Sequence, residues 1–301
     1  MKSLAAASRN TADSIFVRQN EPYLLDCLLE QRKLYTRAKK MQAGQSAVVL
    51  VFAVVSAVSA AIGSELLTAI YGLLSVVLLI ANKYYGRHIE NVKRDAAIIQ
   101  QFFDVVLFSP EIGNTELEWD YFPSRRDIAR VIGDYTDHDR ESVKNWYSDY
   151  SKLSGNQQVF YCQSENVRWS QKLINNYRSL QIKFWVGVCL AVLTVFVVFN
   201  PSIIKAICVC TWLIPIGEYA ASSAAKIKKS CSRHEEIEKD THLIENMLCN
   251  DENVVSSLID LQRKIFQYRC ESVLIPDWFY ELRKCKYQET EDRIARKISN
   301  S

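Results

Sequence analysis

"MQAGQSAVVLVFAVVSAVSAAIGS", residues 41–64, is a run of 24 residues without a charged side chain. A helix rises about 1.5 Å per residue, so crossing a hydrocarbon core of about 30 Å takes roughly 20 residues. Three more apolar runs lie further along. Leu66–Asn82 has 17 uncharged residues, completed by Glu65 and Lys83 reaching toward headgroups. Phe184–Ile204 has 21, and Ala206–Gly217 has 12, followed by Glu218 and small residues to Ala225. The pattern predicts an all-α membrane protein with four transmembrane helices in two hairpins, extended into a cytoplasmic helical bundle with a small insert. The segments are an N-terminal cytoplasmic helix (1–40), a first hairpin (41–82), cytoplasmic helices and insert (83–183), a second hairpin (184–225) and C-terminal cytoplasmic helices (226–301).

Basic residues set the expected orientation. Arg32, Lys33, Arg37, Lys39 and Lys40 precede the first run, and Lys83, Arg87, Lys93 and Arg94 follow the second. Lys172, Arg178 and Lys183 precede the third; Lys226, Lys228, Lys229, Arg233 and Lys239 follow the fourth. The short links between runs carry Lys205 alone. By the positive-inside rule both termini and the middle segment face the cytoplasm. The first 40 residues are mostly polar, so insertion would be signalled by the apolar runs themselves. Nine scattered cysteines without a C-x-x-C pair read as free thiols.

The polar segments read as helix. Asn20-Glu21-Pro22 offers an N-cap and a first-turn proline before Tyr23–Lys40. Tyr85, Ile89, Val92, Ala96, Ile99, Phe103 and Val106 form a stripe expected to end at Ser109-Pro110. Similar stripes are Leu173, Tyr177, Leu180 and Phe184; Ile227, Cys231, Ile237, Thr241, Ile244 and Leu248; and Val254, Leu258, Leu261, Ile265 and Tyr268. All are expected to pack a helical bundle. Residues 109–158, punctuated by Pro110, Gly113, Pro123, Gly133 and Gly155, form the insert.

No catalytic signature is present: no P-loop, G-x-G-x-x-G, G-x-S-x-G or H-E-x-x-H. Asp137, His138 and Asp139 fit a solvated turn before a helix. His234 and His242 stand two turns apart, too far to share an ion. No metal, no cofactor and no enzyme activity are expected. Arg125 and Arg126, after Pro123-Ser124, could meet a phosphate at a helix start. Arg168 and Trp169 set a planar cation beside an aromatic, the combination on which bases stack. Together these four are the ligand-binding candidates.

Small residues recur every fourth position in the apolar runs: Ala53, Ala57 and Ala61, then Gly217, Ala221 and Ala225. Such spacing lets helices approach closely in lipid, so these are the helix-packing candidates. Four helices from one chain cannot enclose a wide water path, and conduction would need a homo-oligomer. Glu218, Lys205 and Pro215 are pore or gate candidates. Pro215 would bend the helix before Glu218, and a ring of Glu218 carboxylates at the cytoplasmic mouth would favour cations.

Four stretches carry a resemblance: "FVRQNEPYLLDCLLEQRKLYTRAKK", "FFDVVLF", "CQSENVRWSQKLINNY" and "LIPDWFYELR". They span nearly the whole chain, in order, and resemble the S-4TM family, bacterial four-helix membrane effectors found beside cyclic-oligonucleotide synthases in antiphage signalling. Arg18-Gln19-Asn20, Gln31-Arg32, Tyr35, Ala38-Lys39, Trp169, Tyr177 and Pro276-Asp277-Trp278 are its most specific residues. The chain departs from the family's Gln-Arg-x-Asn at Gln163-Ser164-Glu165-Asn166, which would shift that arginine's role to Arg168.

The resemblance implies a membrane effector at the bacterial inner membrane. A cyclic nucleotide or oligonucleotide from an associated nucleotidyltransferase would act on its cytoplasmic part and open a pore, causing growth arrest or death. Its partners would be the lipid bilayer and further copies of itself, with no nucleic acid. The alternative is a non-conducting scaffold that recruits a cytoplasmic protein.

Overall fold

The computed structural model describes residues 14–62, 65–113, 116, 119, 122–199, 214–250 and 252–299; the side chains at 53–54, 56–62, 65–69, 195–196, 199, 215 and 285 lie outside the description. All regular elements among the described residues are helices. A short α1 (Ile15–Arg18) leads into α2 (Pro22–Ile62), which packs along α3 (Glu65–Ile112). After α4 (Arg125–Val131) and α5 (Asp137–Glu141), the long α6 (Gly155–Phe199) packs along α7 (Ile214–Cys249). Helix α8 (Val255–Glu271) lies against α3, α6 and α7, and α9 (Asp277–Ile298) lies on α6.

The stripes read from the sequence face inward over most of their length, while Tyr85 and Phe184 are exposed. Ile89, Val92, Ala96, Ile99 and Phe103 of α3 are buried, as are Val254, Leu258, Leu261, Ile265 and Tyr268 at α8. Ile99, Phe103 and the α8 residues meet Leu24, Leu25 and Leu28 of α2 and an aromatic group of Phe102, Phe108, Tyr147, Tyr150 and Phe160 in the main core, while Ile89 and Val92 pack with Ala38 and Leu274. Each such side chain withdrawn from water contributes about 1.5–3 kcal/mol. A second cluster joins Ile174 and Tyr177 of α6 to Ile227 and Cys231 of α7 and Phe279 of α9.

Helix α2 begins at Pro22, the first-turn proline read from the sequence, while the Asn20 side chain bonds the Phe16 carbonyl and Asn145 instead of capping the helix. Helix α3 runs past Pro110 to Ile112. Proline removes one backbone donor there, and the helix stops instead at Gly113, whose φ of 70° is the left-handed conformation of a C-terminal glycine. The Arg18-Gln19-Asn20 motif anchors the insert. Arg18 donates to Glu111 (2.9 Å) and to the Leu107 carbonyl (2.7 Å). Gln19 exchanges two bonds with the Tyr147 backbone (3.1 and 2.7 Å), and Asn20 exchanges two with Asn145 (both 3.0 Å). Arg140 of α5 sets its guanidinium fork on Asp26 of α2 at 2.8 and 2.9 Å. Asp137, His138 and Asp139 form the first turn of α5, closed by a capping box between Thr136 and Asp139.

One expectation is overturned. Among the described residues no helix is long and apolar enough to cross a membrane, against the four transmembrane helices in two hairpins read from the sequence. In α7 the carboxylate of Glu218 stands four residues from Ile214 and is exposed. Apolar and polar sections share single continuous helices, and charge-free stretches alone do not define separate spans.

Candidate functional site

A cleft of about 550 Å³ opens where α2, α6, α7, α8 and α9 meet the loop after α5. Helix α2 contributes Gln31, Arg32, Tyr35, Thr36 and Lys39, which share one face at three- and four-residue spacing. Helix α6 adds Glu165, Asn166 and Trp169; α7 adds His234; α8 adds Tyr268 and Arg269; α9 adds Asp277, Tyr280 and Lys284.

The floor is charged and buried. Asp104, fully buried, accepts from Tyr147 Oη (2.6 Å), Gln262 Nε2 (2.9 Å) and Arg269 Nη1 (2.6 Å). Asn166 donates to Tyr147 Oη at 2.6 Å, and Gln262 also donates to Gln101 at 2.9 Å. This network ties α3, α6, α8 and the insert together. Arg269 thus has a fixed counterion on its core side while it lines the cleft on the other.

Beside it, Glu165 lies against the backbone N–H of Ser148 (3.1 Å) and the hydroxyl of Tyr150 (3.3 Å). Burial pushes its carboxyl up to about 7; the Ser148 N–H opposes the shift, Glu291 adds to it and Arg168 opposes it. His234 Nε2 stands 2.8 Å from the Val167 carbonyl. Burial lowers the pKa of its ring, against the pull of that carbonyl.

The mouth is cationic and aromatic. Lys39 pairs with Asp277 at 2.6 Å and lies 5.8 Å from the Tyr280 ring centre. Trp169 contacts Tyr280 and Tyr287 with ring centres 6.0 and 5.6 Å apart. Arg32 bonds Ser142 through its hydroxyl (3.1 Å) and carbonyl (3.2 Å). Among the described residues, three buried side-chain atoms of cleft residues have no hydrogen-bond partner: Gln31 Oε1, His234 Nδ1 and Arg269 Nη2.

Of the ligand candidates read from sequence, Trp169 lines this cleft. Arg168 points away and forms a two-nitrogen contact with the buried Glu291 (3.0 and 2.8 Å). Lys172 meets the same carboxylate at 3.1 Å. Arg125 pairs with Glu116 and lies 6.0 Å from the Phe102 ring centre, and Arg126 is exposed; both sit on α4, away from the cleft. Ser164, at the departure from the family pattern, is buried outside the cleft lining.

Gly217, Glu218, Ala221 and Ala225 are exposed on α7, and a Cβ added at Gly217 would meet nothing within 4 Å. Pro215 falls in the first turn of α7 with its side chain outside the described residues. Lys205 and the side chains of Ala53, Ala57 and Ala61 also lie outside them. Among the described residues no three His, Cys, Asp or Glu side chains are grouped to hold a metal.

Sequence reasoning missed Arg32, Lys39, Glu165, His234, Arg269 and Asp277 as parts of one site. A usable signal existed for α2, where Gln31, Arg32, Tyr35 and Lys39 recur at helical spacing and belong to the family-like residues. The remaining groups converge through tertiary packing alone.

Residues 13–298 match the model of the SMODS-associating 4TM effector domain. The chain is also similar to a probable CBASS effector molecule of Bacillus cereus strain VD146. The two are 29% identical over 222 residues, covering 71% of this chain and 72% of that protein. No solved structure matches. The chain belongs to the SMODS-associating 4TM effector family, the family that its sequence resembles.

Proposed function

We propose that this family member is an antiphage effector that receives a cyclic-oligonucleotide signal in the cleft between α2, α6, α8 and α9. The observation that carries this reading is the cleft's lining: the cations Arg32, Lys39, Arg269 and Lys284 beside the aromatics Tyr35, Trp169, Tyr268 and Tyr280. Cations hold phosphodiesters through charge-assisted hydrogen bonds, and aromatic faces stack bases. The volume lies in the range of small-ligand sites. Gln31, Arg32, Tyr35, Lys39, Trp169 and Asp277, among the most family-specific residues of the sequence, meet here. The similarity to a probable CBASS effector molecule supports the same reading.

The output falls to the opposite end of the bundle. Val48 and Val51 of α2, Leu73, Val76, Val77 and Ile80 of α3, and Leu190, Leu193 and Val197 of α6 are exposed. The bond from Gln45 to Asn82 and the Ser46–Tyr219 contact bring α2, α3 and α7 to one level, beyond which these side chains lie. An apolar surface of this kind marks a contact with lipid or with other copies. Occupied cleft, assembled copies and a leaking inner membrane form the proposed sequence of events.

The test is titration of the purified full chain with cyclic di-AMP, cyclic di-GMP and linear pApA, read by calorimetry and by dye release from vesicles. A cyclic dinucleotide is expected to bind and trigger release. Lys39→Ala is expected to weaken binding about 10- to 100-fold, the loss of a charge-assisted contact. Absence of binding by every cyclic nucleotide tried would remove the sensing role. Binding without release, with a protein partner co-purifying, would favour recruitment instead, for which exposed Trp278 and Leu282 on α9 offer a surface.

A further inference from the structure

We infer that the Asp277 carboxylate stands at Lys39 in the place of a ligand phosphate, and that a phosphodiester entering the cleft displaces it. The inference rests on the cleft being the nucleotide site. It adds which cation takes the phosphate and what that cation exchanges for it. The starting point is one contact at the mouth. Lys39 Nζ donates to Asp277 Oδ1 at 2.6 Å, and both residues line the cleft. Among the described residues this is the one ion pair that joins a lining cation to a lining carboxylate.

The other lining cations are held differently. Arg269 reaches Asp104, which is fully buried and also accepts from Tyr147 and Gln262. Arg32 bonds the hydroxyl and carbonyl of Ser142, which carry no charge. The Asp277 side chain is 46% exposed and that of Lys39 is 21% exposed. Such pairs are weakly held, because water and salt take most of the Coulomb attraction. A phosphodiester carries the same single charge and two free oxygens, and it accepts from an ammonium as a carboxylate does. It can exchange for Asp277 at little cost.

The surroundings suit a nucleotide phosphate. Lys39 Nζ lies 5.8 Å from the Tyr280 ring centre, and that ring lies 6.0 Å from Trp169. Burial raises the Tyr280 hydroxyl above its usual range, Arg32 opposes the shift, and Glu281 and Asp277 add to it. Arg32, Lys39 and Asp277 therefore gather round one aromatic ring. A phosphate on Lys39 would stand beside the aromatics that stack its base, with Arg32 two turns away on the same face of α2. The contact also ties α9 to α2, since Asp277 is the first residue of α9. Two residues on, Phe279 packs on Tyr177 of α6 and beside Ile227 and Cys231 of α7. The exchange thereby acts on the first turn of a helix that touches both.

The experiment is a double-variant cycle on the full chain, read by calorimetry with cyclic di-AMP and cyclic di-GMP as probes. Asp277→Asn keeps the shape of the side chain and removes its charge. It is expected to tighten binding about three- to fivefold. In the Lys39→Ala background the same change is expected to leave affinity within about 1.5-fold, since no lysine remains to be released. The gain should be equal for each probe that the unmodified chain binds, because the two share a phosphodiester ring and differ in their bases. Thermal unfolding checks each variant, and Asp277→Ser carries the test if Asp277→Asn does not fold. Unchanged or weaker binding by a folded Asp277 variant overturns the exchange while leaving the nucleotide site intact. An equal gain with and without Lys39 also overturns it, because Asp277 then only repels anions at a distance. A gain confined to one of two bound probes overturns it as well, because Asp277 then answers to the base. No binding of either probe by the unmodified chain overturns the nucleotide reading itself, and the exchange with it.

Discussion

Asp104→Asn is expected to destabilise the chain by about 3–5 kcal/mol, the usual cost of stripping a buried charge of its partner. Asp104 is fully buried and holds Arg269 at 2.6 Å, while Arg269 is itself 9% exposed. The amide keeps the shape of the carboxylate but leaves the guanidinium uncompensated, and its NH2 accepts nothing, so either Tyr147 or the donors Gln262 and Arg269 lose their acceptor. Urea unfolding followed by circular dichroism measures the loss as a lower midpoint at unchanged slope. The double variant Asp104→Leu/Arg269→Met is expected to lose less than the sum of its two single variants. Replacing a whole buried pair by apolar side chains removes both desolvation penalties together. Strict additivity would show that the two side chains do not stabilise each other.

That network explains what sequence could and could not reveal. Ile99 and Phe103 announce the inner face of α3 by spacing, and Leu258, Leu261 and Ile265 do the same for α8. Helical periodicity depends on local geometry alone. Asp104 and Arg269 are 165 positions apart, and no local pattern predicts that two charges on separate stripes will meet in a core. The membrane reading failed for a related reason. A count of uncharged residues measures composition along the chain, whereas the described helices join apolar and polar sections on the same axis.

The cleft was hidden by a different ambiguity. Arg32 and Lys39 precede the first apolar run, where flanking cations serve as orientation signals. Their positions on one face with Gln31 and Tyr35 carry the additional meaning, and the other walls come from α6 to α9. Arg168 shows the converse. Its neighbour Trp169 enters the cleft, but adjacent helical residues diverge by about 100°, and Arg168 turns to Glu291 instead. Arg125 and Arg126 advertise a phosphate by residue type, yet α4 holds them outside the cleft.

Stability is expected to fall as pH rises from about 4.5 to about 7, through Glu165. Its carboxyl is raised from 4.5 to about 7, chiefly by burial. Between these values the native state keeps a proton that the unfolded chain releases. The native state therefore loses stability with rising pH across that window, and the loss is complete above pH 7. One pKa unit corresponds to about 1.4 kcal/mol, which puts the full effect on the order of 3 kcal/mol. The groups facing Glu165 are Ser148 and Tyr150 from the insert, Arg168 on its own helix and Glu291 on α9, with Asp292 sharing the Ser148 hydroxyl. His234 works in the opposite sense. Its depressed pKa makes stability fall as pH drops through and below the ordinary histidine range of about 6.5. The decisive quantity is thus the difference between the unmodified chain and Glu165→Gln at each pH, in which the histidine contribution cancels. Glutamine resembles the protonated carboxyl, so the variant is expected to match the parent near pH 4.5 and to exceed it above pH 7. Denaturant midpoints at half-unit steps from pH 4.5 to 8 measure the curve. A difference that stays constant across the window would mean that Glu165 does not hold the extra proton, and that the inner wall of the cleft is negatively charged at neutral pH.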